Sequence, residues 1–335
     1  MAASSTLSTS STPRLSAAGR VALEVLHTRG DDRAASFRAG GTAGNVASIL
    51  GALGWSALAT GPADDSPAFK VLLEDLHECG VEYYATATGP VPVIVQELCD
   101  RGHSFSFDCP GCGRALPRFT RSSIATHRFL RVQFQQADVF FADRLSADVI
   151  ALAYAARSKG AFVVYEPSDE KDAPWAGEML AMASMVKCSS ERAPRLSWLG
   201  DEGDYLEVHT MGADGLRWRW PKLGVGRWQH MSAIRAERVV DTCGAGDWLT
   251  SGILFGLREY ASDITWGAGR CAEQILASAQ QLAAWSCGFA GARGALYEVG
   301  PATARSILGA SSIGPVRHEP LPEPSMSTAC VSCPA

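Results

Sequence analysis

The stretch Val239-Val240-Asp241-Thr242-Cys243-Gly244-Ala245-Gly246-Asp247, continued by Trp248-Leu249-Thr250-Ser251-Gly252, constrains this chain most. The β-branched pair at its start suits a short strand. Two glycines follow within three residues. From Asp247 onward, Trp248, Leu249, Ile253, Leu254 and Leu257 are apolar at helical spacing. A strand, a glycine turn and a helix start, in that order, make an anion site. The first N–H groups of a helix lack internal partners, and the helix dipole adds partial positive charge there. Gly244 and Gly246 have no Cβ, so the backbone can close on a bulky anion.

Asp247 runs against this pattern, because a carboxylate beside a phosphate-sized anion is repelled. A chemical role resolves the conflict. A carboxylate can orient a substrate hydroxyl and take its proton as the oxygen attacks a phosphoryl group. A lone aspartate would read as a helix cap, but here strand, glycines and helix all agree on the anion site. No G-x-x-x-x-G-K-[ST] segment is present, so a P-loop kinase is not supported.

The 335 residues suffice for one large domain with a small appendage, or for two domains. With 47% hydrophobic and 19% charged residues, the composition is that of a globular protein. The net charge of -5 gives no basic footprint for nucleic acid. No apolar run is long enough to span a bilayer. Ten cysteines without a secretory signal point to a reducing compartment, the cytoplasm. Residues 1–16 are rich in Ser, Thr and Ala and predict a disordered lead, and the Pro- and Ser-rich residues 313–335 a flexible tail.

Between them, Ala17 to Leu26 reads as the first strand. Small residues from Gly40 to Ala47 feed a helix, and Trp55 to Thr60 is a strand. Ala68 to Cys79 is a helix closed by Gly80. Val91 to Leu98 and Ser104 to Phe107 are strands. From Asp138 the alternation is regular: strand to Ala142, helix Ser146 to Lys159, strand Ala161 to Tyr165, helix Ala176 to Met185. Tyr205 to Thr210 and the Trp218/Trp220 segment form a hairpin, and Ala272 to Cys287 is a long helix. This order predicts a doubly wound, mostly parallel α/β sheet that binds ligands at its strand C-termini.

Cys109-Pro110-Gly111-Cys112-Gly113 has the form of a zinc knuckle. Tetrahedral zinc needs four ligands, and two completions exist. Cys99 and His103 would give a local set over residues 99–112; Cys330 and Cys333 in the tail form a second C-x-x-C. A reduced pair in a metal-free turn is the plain alternative. Any zinc here is structural rather than catalytic.

Residues 241–247 resemble the signature of the ribokinase-like (PfkB-type) carbohydrate and nucleoside kinases, Asp-Thr-x-Gly-Ala-Gly-Asp, with every fixed position present. The resemblance implies a kinase domain over 17–312 with a small β-sheet lid from about 24–40 and 88–120. It implies ATP and Mg²⁺ as cofactors, Asp247 as the base, and Gly244, Ala245 and Gly246 as the anion hole. Glu24 takes the place of the family's usual Asp for acceptor hydroxyls, with an exposed strand glutamate as the alternative. Gly41 and Asn45 fall where the family holds the acceptor. Asp64 or Asp65 lies where the family has a further acidic loop, though acid pairs in turns are commonly solvated. Thr210, Gly212 and Gly215 match the nucleotide-binding Thr-x-Gly-x-x-Gly.

Two family elements are altered. Glu166-Pro167-Ser168 stands for Asp-Pro-Asn. In the Asn-x-x-Glu element, Glu191 in the acid's place puts Cys188 in the Asn slot, whereas Ser189 in that slot puts Arg192 in the acid's place. Glu191 is the residue expected to help place Mg²⁺. The resemblance implies a sugar or nucleoside acceptor and admits a homodimer through the lid. These departures also admit a catalytically silent sugar- or nucleoside-binding regulator, and the knuckle a docking module for a partner protein.

Overall fold

The computed structural model describes residues 12–28, 35–99, 102–121, 128–200, 203–259, 268–309, 317–324 and 326. The chain begins with β1 (Arg14–Ala18), β2 (Ala22–Thr28), β3 (Ser36–Gly40) and α1 (Thr42–Ala52). β4 (Ser56–Ala63), α2 (Pro67–Glu78), β5 (Val81–Thr88), β6 (Val93–Cys99) and β7 (Gly102–Ser106) follow. Next come α3 (Arg128–Phe134), β8 (Val139–Ala142), α4 (Ala147–Arg157), β9 (Phe162–Tyr165), α5 (Ala173–Met182) and β10 (Met185–Ser189). The order ends with β11 (Leu206–Thr210), β12 (Leu216–Trp220), β13 (Val225–Met231), α6 (Ala245–Glu259), α7 (Ala268–Ser286), α8 (Gly294–Glu298) and α9 (Pro301–Ile307).

Nine strands form one sheet in the order β13-β12-β11-β10-β9-β8-β1-β4-β5. It is parallel from β5 to β11, and β12 and β13 add an antiparallel edge. The order reverses between β1 and β8, which is where open α/β sheets bind ligands. β3, β2, β6 and β7 form a second, smaller sheet.

Strand alternation builds a core on each face of the large sheet. Val139 and Phe141 join α1, α2, α6 and α7 on one side, whereas Phe140 and Ala142 join α3, α4 and α5 on the other. Each fully buried Phe or Leu contributes about 1.5–3 kcal/mol relative to exposure. Serines mark two helix starts: Ser66 Oγ accepts from Phe69 N–H at 3.1 Å and Ser146 Oγ from Val149 N–H at 3.3 Å, each worth about 1 kcal/mol.

Several expectations change. The single strand over 17–26 is two strands in different sheets. β1 starts at Arg14, inside the expected lead; residues 1–11 lie outside the described residues. The break falls at Gly19-Arg20. The Asp143 carboxylate accepts Arg20 N–H at 2.7 Å, and a Cβ on Gly19 would lie 1.9 Å from Asp143 Oδ1. Val239-Val240 is not a strand. Val239 is 65% exposed, and the N–H groups of Val240 and Asp241 both bond the Cys287 carbonyl, at 2.8 and 3.1 Å. Met185 opens β10 rather than ending a helix. The tail is docked over 317–324: Leu321 is buried, and its N–H bonds Leu296 O at 2.9 Å.

Candidate active site

The first turn of α6 lies over the strand C-termini. Gly244 has φ +76°, and a Cβ there would lie 2.4 Å from Ala292 O, so only glycine fits. Ala245 N–H turns back to Thr242 O at 3.3 Å and Trp248 N–H bonds Gly244 O at 2.9 Å, which leaves the Gly246 and Asp247 amides without a partner inside the helix. A Cβ on Gly246 would lie 3.5 Å from Lys187 Nζ, which puts a buried ammonium beside the anion loop.

Asp247 Oδ2 accepts Asn45 Nδ2 at 2.7 Å. Asn45 lies in the first turn of α1, where its own N–H bonds Gly41 O at 2.7 Å. Gly41 precedes the helix at φ +76°, with no room for a Cβ against Arg20 O. The glycine pair thus sets the helix start, and the helix aims the amide at Asp247. Desolvation and then the Glu166 charge push the Asp247 carboxyl up to about 8; the Asn45 bond and Lys187 pull it down, and Asp143 adds to the rise. Asp247 keeps a partly exposed face.

Asp241 is 2% exposed and fully engaged. It accepts from Gln96 Nε2 at 2.5 Å, Cys243 N–H at 2.9 Å and Gly291 N–H at 2.9 Å, and pairs with His103 Nδ1 at 2.8 Å. Gln96 and His103 stand on β6 and β7, so the small sheet is pinned over the glycine loop and acts as its lid.

Two residues of the site, Asp143 and Lys187, were not named from the sequence, and a third, Glu166, appeared there only as the substitute for the family's Asp. Asp143 and Glu166 directly follow β8 and β9, and Lys187 lies in the middle of β10. Glu166 Oε2 pairs with Lys187 Nζ at 3.0 Å, and Glu166 Oε1 accepts from the Thr250 hydroxyl. A charged residue just after an apolar strand was the available signal for Asp143 and Glu166, and a lysine inside a buried strand the signal for Lys187. Glu191 is not part of this group. It is exposed in the turn after β10, and Glu166 is the carboxylate that acts on Asp247. Arg192 Nη1 donates to Pro167 O at 3.2 Å.

Glu24 is 7% exposed on β2, so the exposed-glutamate alternative fails. Its carboxyl is pushed up to about 7 by burial and drawn down by Arg293 and Arg38. Burial raises the Cys243 thiol pKa, and the nearby Glu24, Asp241 and Asp247 charges raise it further. Asp64 Oδ1 accepts from Ser66 N–H and Oγ, an ordinary turn role. Thr210, Gly212 and Gly215 follow one another at the end of β11. A Cβ on Gly212 meets nothing within 4 Å, whereas one on Gly215 would strike Met231 O at 2.1 Å. A cavity of about 1110 Å³, lined by Trp55, Trp198, Tyr205 and Trp220, lies instead at the strand N-terminal ends.

The local zinc set does not assemble. His103 is committed to Asp241, and no three His, Cys, Asp or Glu side chains gather to hold a metal among the described residues. The Cys109 turn is closed by Cys109 N–H on Arg114 O and Gly113 N–H on Cys109 O, both 2.8 Å. Cys330 and Cys333 lie outside the described residues.

The profile of the pfkB family carbohydrate kinases matches residues 27–298. The chain belongs to that family. As a pfkB-family protein it is a carbohydrate kinase at family level. Its fold matches a putative ribokinase from Agrobacterium tumefaciens (17% identity, 89% of this chain and 98% of that one, TM-score 0.67). It also matches Arabidopsis thaliana ribokinase complexed with ribose and ATP (18%, 90% and 100%, TM-score 0.64). Fructokinase with bound ATP from Xylella fastidiosa is similar as well (21%, 83% and 93%, TM-score 0.63). No curated protein sequence matched. No helix among the described residues is long and apolar enough to cross a membrane.

Proposed function

We propose that this pfkB-family protein transfers the γ-phosphoryl group of ATP to an alcohol of a sugar or nucleoside. The Asn45–Asp247 bond carries this reading, because it aims a carboxylate of raised pKa at the glycine loop. Asp247 takes the proton of the acceptor hydroxyl as its oxygen attacks phosphorus. The free amides of the first α6 turn and Lys187 receive the charge spread over the transferring group. One such donor typically lowers the barrier by about 3 kcal/mol. Glu24, buried beside Cys243, binds acceptor hydroxyls. Thr210, Gly212 and Gly215 hold the nucleotide, the open space at Gly212 giving backbone access.

Magnesium fits as a companion of ATP. It keeps mostly phosphate and water ligands and needs only one or two carboxylates from the protein. Glu166 is the carboxylate in place to approach it, and when bound it would neutralise charge on the β- and γ-oxygens. The test is ADP release from ATP with D-ribose, D-fructose and inosine as acceptors, comparing the wild type with Asp247→Asn. Turnover that survives the substitution overturns the base assignment. Acceptor binding by wild type without ADP release would instead mark a silent regulator.

A further inference from the structure

β2 and β3 are antiparallel, and Glu24 stands directly opposite Arg38. Opposed residues on such strands have Cβ atoms about 4.5–5.5 Å apart, and opposite charges there ordinarily pair. Arg38 is engaged elsewhere. Its Nη1 donates to Ala290 O at 3.1 Å, its Nη2 pairs with the Glu323 carboxylate, and its guanidinium lies 4.2 Å over the Tyr297 ring. Ser36 Oγ also donates to Glu323, at 3.3 Å.

Glu323 lies beyond residue 298, where the family match ends. Its position is built. Leu321 is tied by backbone to Leu296, and Gly300, at φ +78°, leaves no room for a Cβ under Glu319 O; the exposed Arg317–Glu78 pair at 3.0 Å adds little to this.

We infer that Glu323 is a positioning residue for the acceptor site: by holding Arg38, it keeps the Glu24 carboxyl open to acceptor hydroxyls. This rests on the acceptor role proposed above for Glu24. The groups acting on Glu24 are Arg38 on β3, Arg293 before α8, Asp75 on α2 and Asp241 in the glycine loop. Arg293 and Asp75 satisfy each other at 2.6 Å, and Asp241 is saturated. Arg38 is therefore the cation whose partner choice decides whether Glu24 is free.

The test uses the full chain with Glu323→Gln, Glu323→Asp as the charge-retaining rescue, and Arg317→Ala as a control on docking. With whichever of D-ribose, D-fructose and inosine the wild type phosphorylates, Glu323→Gln should raise the acceptor KM about fivefold or more. The ATP KM and kcat should stay within about twofold. Glu323→Asp and Arg317→Ala should stay near wild type.

An independent readout is NMR of isotope-labelled glutamate, with the Glu24 signal assigned by Glu24→Gln. In Glu323→Gln its titration should move roughly one unit or more lower as Arg38 turns to it. An unmoved Glu24 titration, or an ATP KM that rises along with the acceptor KM, overturns the inference. Failure of wild type to phosphorylate any probe would count against the kinase reading, while the titration still decides the Arg38 switch.

Discussion

Asn45 donates from Nδ2 to Asp247 Oδ2 at 2.7 Å, across 202 residues of sequence. This bond favours the ionised carboxylate, against burial and the Glu166 charge. Asn45→Ala should therefore push the Asp247 carboxyl further up. Below pH 8 a smaller fraction would be ionised, and kcat should fall about tenfold or more. A kcat that recovers at high pH would show that the loss comes through protonation. A uniform loss at all pH values would point to misplaced acceptor instead.

The pH profile has a definite sign. A base raised to about 8 is neutral below that pH and active above it, so kcat/KM should climb through the region of pH 8. Glu166→Gln removes the charge that raises Asp247 and frees Lys187, which lowers it. The climb should move to lower pH, measured as kcat/KM against pH at saturating ATP. A shift upward would contradict the charge arrangement described here.

Gly244→Ala should cost turnover and stability together. The backbone is left-handed at φ +76°, and the new methyl would press on Ala292. A non-glycine residue held there costs about 1–3 kcal/mol. Denaturant unfolding reads the stability cost, and ADP release reads the loss of the anion loop.

Asp75→Ala should be more damaging than its distance from the phosphoryl site suggests. Asp75 is fully buried and accepts from Arg293, Tyr297 and the Ala39 N–H. Removing one partner of a buried pair typically costs about 3–5 kcal/mol. The unfolding midpoint should fall sharply, and Ala39, next to the Gly40-Gly41 pair, would lose its anchor.

The glycine loop, the helix behind it and the alternation after residue 137 were legible because they rest on local chemistry. Gly244, Gly246 and the apolar face of α6 are adjacent in the chain, so spacing alone reveals them. The apparent strand at Val239-Val240 shows the limit. β-branched residues favour a ladder, but no neighbouring strand is offered there, and Cys287 takes the backbone instead. The break at Gly19 was hidden for the same reason, since Asp143 comes from 123 residues away.

Sequence alone determined the glycine loop ahead of α6 and the α/β class, since these follow from backbone freedom and periodicity within short segments. Only the tertiary structure brought the Glu166 charge to bear on Asp247. It alone decided that Asp241 pins the lid, and that Glu323 in the tail claims Arg38. Those pairings depend on which strand ends and loops converge at one sheet edge, and Coulomb and hydrogen-bond forces act over a few ångströms of space, whatever the separation along the chain.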